Sequence, residues 1–147
     1  MKKLIIMLIS IISMSTASAQ KYTEQYIKDA SIVAENWLSD INDKQYESAY
    51  TLLTTETKAN YIKEEWISFL RELMLEFGQF QERKIKSSIF QSSIEGLEDG
   101  FYVIIEYNSN YKNTINHEEY ILVKQNDKLK WRIERFNYKF TKLDGSK

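Results

Sequence analysis

The chain has no cysteine, no proline, one histidine and four glycines in 147 residues. Without cysteine there is neither a disulfide to brace the fold nor an N-terminal thiol to lipidate, so stability has to come from the packed core alone. One histidine and no thiol leave too few donors for a zinc or iron centre, so neither metal nor cofactor is expected. Gly78, Gly96, Gly100 and Gly145 are too scattered to form a glycine-rich phosphate loop. Charge of one sign is also missing: 20 basic against 21 acidic residues give a net charge of -1. That balance argues against the basic patch that nucleic acid or an acidic membrane surface requires.

Aromatic side chains are abundant, with ten Tyr, seven Phe and three Trp. They imply a ring-rich core or a pocket lined by rings with polar tips, and the core is the first expectation. Hydrophobic residues at 43% and charged residues at 28% belong to a folded globular chain whose length suits one domain.

Residues 1–19 read as a secretory leader. Lys2 and Lys3 supply its positive start, and the apolar run Leu4 to Ile12, broken only by Ser10, is too short for the roughly 20 residues of a membrane-spanning helix. Ala17-Ser18-Ala19 has the small-x-small form that signal peptidase accepts, which places cleavage between Ala19 and Gln20. The expectation is an exported protein, periplasmic or secreted, without a stable membrane anchor, whose residues 20–147 form a single domain.

The mature chain is organised around the segment Trp37 to Tyr50. Ala30, Ala34, Trp37 and Ile41 fall on one stripe of a helix predicted over Thr23 to Ile41, and Tyr46, Ala49, Tyr50 and Leu53 on one face of a second, short helix. Thr54-Thr55-Glu56-Thr57 reads as a polar break. Ile62, Trp66, Phe69, Leu70, Leu73 and Phe77 then mark a third helix, stopped by Gly78. Beyond Gly78 the period changes to alternation. Strands are predicted over Arg83 to Ser93, with Ile85 and Ile89 on one face, and over Phe101 to Asn108, with Phe101, Val103, Ile105 and Tyr107 on one side. Asn110 to Asn116 turns the chain, and Glu118 to Lys124 and Leu129 to Tyr138 form a hairpin around Asn126-Asp127. The fold class is therefore α+β, with three N-terminal helices packed on a curved antiparallel sheet of about four strands.

The order of the residues carries a family resemblance. Ala34-x-x-Trp37-Leu38-x-x-Ile41, Tyr46-x-x-x-Tyr50, Trp66, Phe77-Gly78 with Arg83 after it, Asp99-Gly100-Phe101-Tyr102-Val103-Ile104-Ile105-x-Tyr107 and Trp131-Arg132-Ile133 occur in turn. This set resembles the bacterial exported proteins grouped as domain-of-unknown-function family 4019, along essentially the whole mature chain. Glu98, Asp127-Lys128 and Arg135 depart from that pattern, at places where the family tends to have proline, an Asp-Gly turn and glycine. The layout also looks like the cone-shaped folds of the nuclear transport factor and ketosteroid isomerase superfamily. That likeness implies a pocket between helices and curved sheet, a scaffold that hosts both enzymes and plain binders. The resemblance brings no assigned activity.

Few residues could carry chemistry. His117 sits among Asn116, Glu118 and Glu119, where a solvated surface histidine is expected rather than a member of a catalytic triad. Acid-base work would fall to a carboxylate near an apolar face, and Asp40, Glu106 and Glu119 are available, with Asp40 and Glu119 the candidates. The plainer role for Asp40 is to end its helix and fix the turn to Lys44. Glu119 shares the parity of Ile121 and Val123 and faces inward if they do. Arg83 could bind an anion, although pairing with a surface carboxylate is commoner. Trp37, Tyr46, Tyr107 and Trp131 are the ligand-binding candidates, with core packing the plainer role for the tryptophans.

Three functional readings stand. The leading one is a non-catalytic exported module whose cone or sheet face binds a small apolar ligand or a protein partner. The second is an isomerase or hydratase using Asp40 or Glu119 with a tyrosine, and the third a homodimer joined through the open sheet face. A dry cleft with an inward carboxylate beside a tyrosine favours the second, a pocket filled by rings the third, and an open apolar cavity the first.

Overall fold

The computed structural model describes residues 2–143, with side chains from residue 18 onward. The leader read over residues 1–19 thus falls almost wholly outside the described side chains. Among the described residues no helix is long and apolar enough to cross a membrane.

Helix α1 spans Lys2–Asn42, so it extends well before the Thr23 start expected for it. No proline or glycine interrupts this stretch, and a helix with neither breaker has no local reason to stop. Its stripe Ala30, Ala34, Trp37, Leu38 and Ile41 is fully buried. The helix ends where Lys44 takes a left-handed backbone (φ 61°) and Gln45 N–H donates to the Asp40 carbonyl at 2.7 Å. Helix α2 (Tyr46–Thr51) follows at once. The expected polar break is itself a one-turn helix, α3 (Thr55–Ala59), because Thr54 Oγ1 accepts from Thr57 N–H and caps it. Among the described residues this one-turn helix is added to the three that were expected. In α4 (Lys63–Phe77), Trp66, Ile67, Leu70, Leu73 and Phe77 are buried, whereas Phe69, placed on the same stripe from sequence, is 52% exposed. Gly78 stops the helix at φ 79°, a conformation strained for any residue with a Cβ, and a Cβ there would lie 2.7 Å from the Asn113 side chain, which would have to shift.

Four strands, β1 (Phe80–Gln91), β2 (Tyr102–Tyr111), β3 (Thr114–Gln125) and β4 (Trp131–Lys142), form an antiparallel meander in sequence order. The Asn110 to Asn116 turn is shorter than expected, since strand pairing runs on to Tyr111 and resumes at Thr114. Leu129, expected in the last strand, sits in the turn before it at φ 58° and is exposed. The Asn126 side chain holds that turn by accepting from Lys128 N–H and Lys130 N–H.

The sheet has four register shifts, and two of them turn over the side chains in the middle of β1 and in β4. The β1–β2 register slips between Ile85 and Ser87, which places Ser88 and Phe90 opposite inward Ile105 and Val103 and sends Ile89 to the other face. Ile85 and Ile89 therefore do not share a face, and both are about half exposed. In β4 the register slips across Glu134, so Ile133 pairs with Val123 but Phe136 with Ile121. Inward parity moves from Trp131 and Ile133 to Phe136, Tyr138 and Phe140.

Helix α1 lies across the inner sheet face and touches all four strands. The start of the exposed β4 edge is covered by the segment after α2: Thr54 N–H donates to the Ile133 carbonyl and Ile133 N–H to the Leu52 carbonyl.

Candidate functional site

Strand register assembles a polar patch on the inner face. Tyr107 lies opposite Glu119 and Ser109 opposite His117, while Arg83 lies opposite Ser109. One end of the face is thus Val103, Ile105, Ile121 and Val123, all fully buried, and the other gathers Arg83, Ser109, Tyr111, His117 and Glu119.

Glu119 has no exposed surface at all. Its Oε2 accepts from Arg83 Nε at 2.6 Å and from Ser109 Oγ at 2.5 Å. Its Oε1 accepts from Arg83 Nη2 at 3.1 Å and from the Tyr111 hydroxyl at 2.8 Å. The fork-to-carboxylate contact is the bidentate geometry that favours arginine over lysine. The guanidinium also stacks over the Phe80 ring, 4.7 Å from its centre. Burial works against the charge on Arg83, but Glu119 beside it and the hydrogen bonds between them raise the guanidinium pKa overall. Burial, with Glu119 next, pushes the Tyr111 hydroxyl well above its ordinary value, so it stays protonated and donates.

His117 is buried, which corrects the expectation of a solvated surface residue. Its ring meets Phe77 edge-on at 4.4 Å and stacks on Phe140 at 5.4 Å. Its Nδ1 lies 2.9 Å from Thr114 Oγ1, and its Nε2 has no partner. Burial lowers its pKa, and the carboxylate of Glu119, 3.9 Å away, only partly opposes that shift. The ring is neutral at pH 7. Arg83 is corrected likewise, since its carboxylate partner is a buried one. This ion pair puts charge at one end of the inner sheet face.

The other sequence candidates are dispersed. Asp40 Oδ2 accepts from Ser48 Oγ at 2.7 Å and so ties α1 to α2, the turn-fixing role. Glu106 lies 3.8 Å from Lys86 on the outer sheet face. Trp37 packs edge-on against Phe136 at 5.1 Å and walls a groove of about 610 Å³ between α4 and β4. Tyr107 lines a crevice of about 290 Å³ between α1 and β1, together with Glu35, Arg83 and Asp43. Its hydroxyl is buried without a partner, and burial, reinforced by Glu35, raises its pKa. Tyr46 lines a third groove, of about 590 Å³, where the α1–α2 bend meets α4 and the start of β1. Trp131 lines none of these and packs near Tyr26. The four rings do not converge on one pocket.

Sequence reading missed Ser109, Tyr111 and Thr114. Only the alternation of Tyr107, Ser109 and Tyr111 pointed inward. Among the described residues no group of three or more metal-ligating side chains is close enough to hold an ion. The Glu119 carboxylate, holding four donors, has no oxygen left to take a substrate proton.

The model of a family described as a protein of unknown function, DUF4019, matches residues 33–136. The chain belongs to this family. No curated protein and no solved structure matches it. The DUF4019 match covers the Trp37 to Tyr50 bend, Arg83 and all of Ser109 to Glu119, so the whole buried ion-pair cluster lies inside the family domain.

Proposed function

We propose that this DUF4019 protein is an exported, non-catalytic binding module that holds a small ligand in an open groove between its helices and its sheet. What carries the reading is Glu119: two bonds from Arg83 and one each from Ser109 and Tyr111 consume its oxygens, which makes it a strut rather than a base. Asp40 is likewise engaged with Ser48. The inner face is occupied by Trp37, Leu38 and Ile41 of α1, so the cone implied by the likeness to the nuclear transport factor superfamily is filled with side chains and recognition moves to its rim. The dimer reading has less support, because the outer sheet face carries the charged cluster Lys86, Glu106 and Glu118, which is costly to bury in an interface.

The test is a thermal-shift screen of anionic, cationic and neutral small molecules against the processed protein, run beside an activity screen for isomerase and hydratase substrates. Saturable stabilisation by one class, with no turnover, is expected. Turnover abolished by Asp40→Asn with circular dichroism unchanged would overturn the reading. Export is checked by intact mass: the secreted or periplasmic form should start at Gln20, and full-length chain in the membrane fraction defeats that part.

A further inference from the structure

We infer that the groove between the α1–α2 bend, α4 and the start of β1 is the ligand site, and that its ligand is a soluble amphiphilic anion, a carboxylate on an aliphatic chain. This rests on the binding-module reading and gives it a place and a ligand class.

The groove measures about 590 Å³, within the roughly 300–1,000 Å³ usual for small-molecule sites. Ile41, Tyr46, Met74, Leu75 and Phe80 give it an apolar lining, and Lys44 and Arg71 are its cations. Leu75 is 69% exposed, an apolar side chain on α4 left without cover. No aspartate or glutamate lines this groove. Four other grooves all include carboxylates: Glu65 and Glu134 in the one beside Trp37, Glu35 and Asp43 beside Tyr107, Glu56 and Asp127 at the β3–β4 turn, and Glu118 near His117. Among the described residues Lys44 and Arg71, like Lys58, Arg132 and several other cations, have no carboxylate within ion-pair distance, so both charges are available to a ligand.

Lys44 sits exposed at the bend, in a left-handed backbone conformation (φ 61°) that Asn116 and Leu129 also adopt in their turns. Arg71 lies over the Tyr46 ring, 6.0 Å from its centre, which anchors the guanidinium by a cation–π contact while its N–H groups remain free for an acceptor. A carboxylate between these two groups accepts charge-assisted hydrogen bonds, and the chain behind it covers Met74, Leu75 and Phe80. A neutral chain of equal length gains only the second of these terms.

The experiment is a 1H–15N NMR titration of the processed protein with octanoate, with octan-1-ol as the neutral control and phosphatidylglycerol vesicles as the membrane control. Saturable shifts at Lys44, Arg71, Leu75 and Gly78 are expected, with octanol binding roughly tenfold or more weaker than octanoate. Lys44→Asn with Arg71→Gln should weaken octanoate by about tenfold or more and leave octanol unchanged, with the melting temperature retained. Leu75→Ser should weaken both. Equal binding of acid and alcohol, shifts confined to the Trp37 groove, indifference to the double variant, or vesicle binding that outcompetes octanoate would each overturn the assignment. If octanoate fails while another compound class binds elsewhere, the site assignment falls and the binding module stands; if no class binds at all, both fall.

Discussion

The two ends of the inner sheet face share strands and parity yet are held together by opposite means. At one end Val103, Ile105, Ile121 and Val123 belong to one apolar cluster with Ala34 and Trp37 of α1 and have no polar side-chain atom to satisfy. At the other, Glu119 is fully buried as a charge, tolerated only because the largely covered Arg83 pairs with it and further donors surround the carboxylate. The apolar end degrades gradually when trimmed. The polar end is all or nothing, since removal of one partner leaves the other charged and dry.

The largest effects test that asymmetry. Glu119→Ala strands the Arg83 guanidinium and should cost about 3–5 kcal/mol in a urea titration. The pair Arg83→Met with Glu119→Leu should recover most of that loss, because two apolar side chains of similar volume remove the desolvation penalty with the charges. Recovery of less than half would mean that Ser109 and Tyr111, left with buried hydroxyls, dominate the site. At the apolar end Trp37→Ala should cost about 3–5 kcal/mol, the range for emptying a large aromatic position. A denaturation midpoint equal to wild type would show that the ring packs far less tightly than its burial implies.

The next effect is a pH dependence seated in the polar end. His117 is neutral in the folded protein and its pKa is lowered, first by burial, so between that lowered value and the unfolded value of about 6.5 the unfolded chain holds a proton that the folded chain does not. Stability is therefore full above about pH 6.5 and falls as the pH drops toward the depressed folded pKa. His117→Phe should flatten this limb of the stability profile while leaving the carboxylate-driven loss at lower pH. An unchanged limb would assign the proton uptake to other groups.

The apolar end was legible in the sequence, and the polar end was only half so, for physical reasons. Helical period is local, and Ala30, Ala34, Trp37 and Ile41 reported their own burial. The family resemblance was carried by the same aromatic and aliphatic positions. The ion pair is different: Arg83 and Glu119 lie 36 residues apart, and nothing near either names its partner. Parity gave Glu119 its inward direction but not its depth. His117 was misjudged because charged neighbours suggested solvent, although on a strand Glu118 and His117 face opposite ways. The bulges at Lys86 and Glu134 defeated alternation in β1 and β4, since one extra residue inverts every side chain beyond it. The left-handed turn at Lys44 escaped notice because lysine carries no propensity for it.

The smallest predicted effect sharpens the border between the two ends. Tyr107 lies on that border, opposite Glu119, with its hydroxyl buried and without a partner. A buried hydroxyl that makes no hydrogen bond forfeits its hydration for no return, a loss on the order of 1–3 kcal/mol. Tyr107→Phe keeps the ring, its packing and the Arg83 guanidinium over the ring at 5.9 Å while deleting the side chain's unsatisfied atom. It should leave stability unchanged or raise it by up to about 1 kcal/mol, where most core substitutions destabilise. Tyr107→Ala, which also empties the ring's volume, should cost about 3–5 kcal/mol. The contrast between the two separates the ring from its oxygen. A loss of about 1 kcal/mol or more in the phenylalanine variant would mean that the hydroxyl is hydrogen-bonded in solution, making the α1–β1 crevice that Tyr107 lines a second polar binding surface rather than the quiet edge of the core.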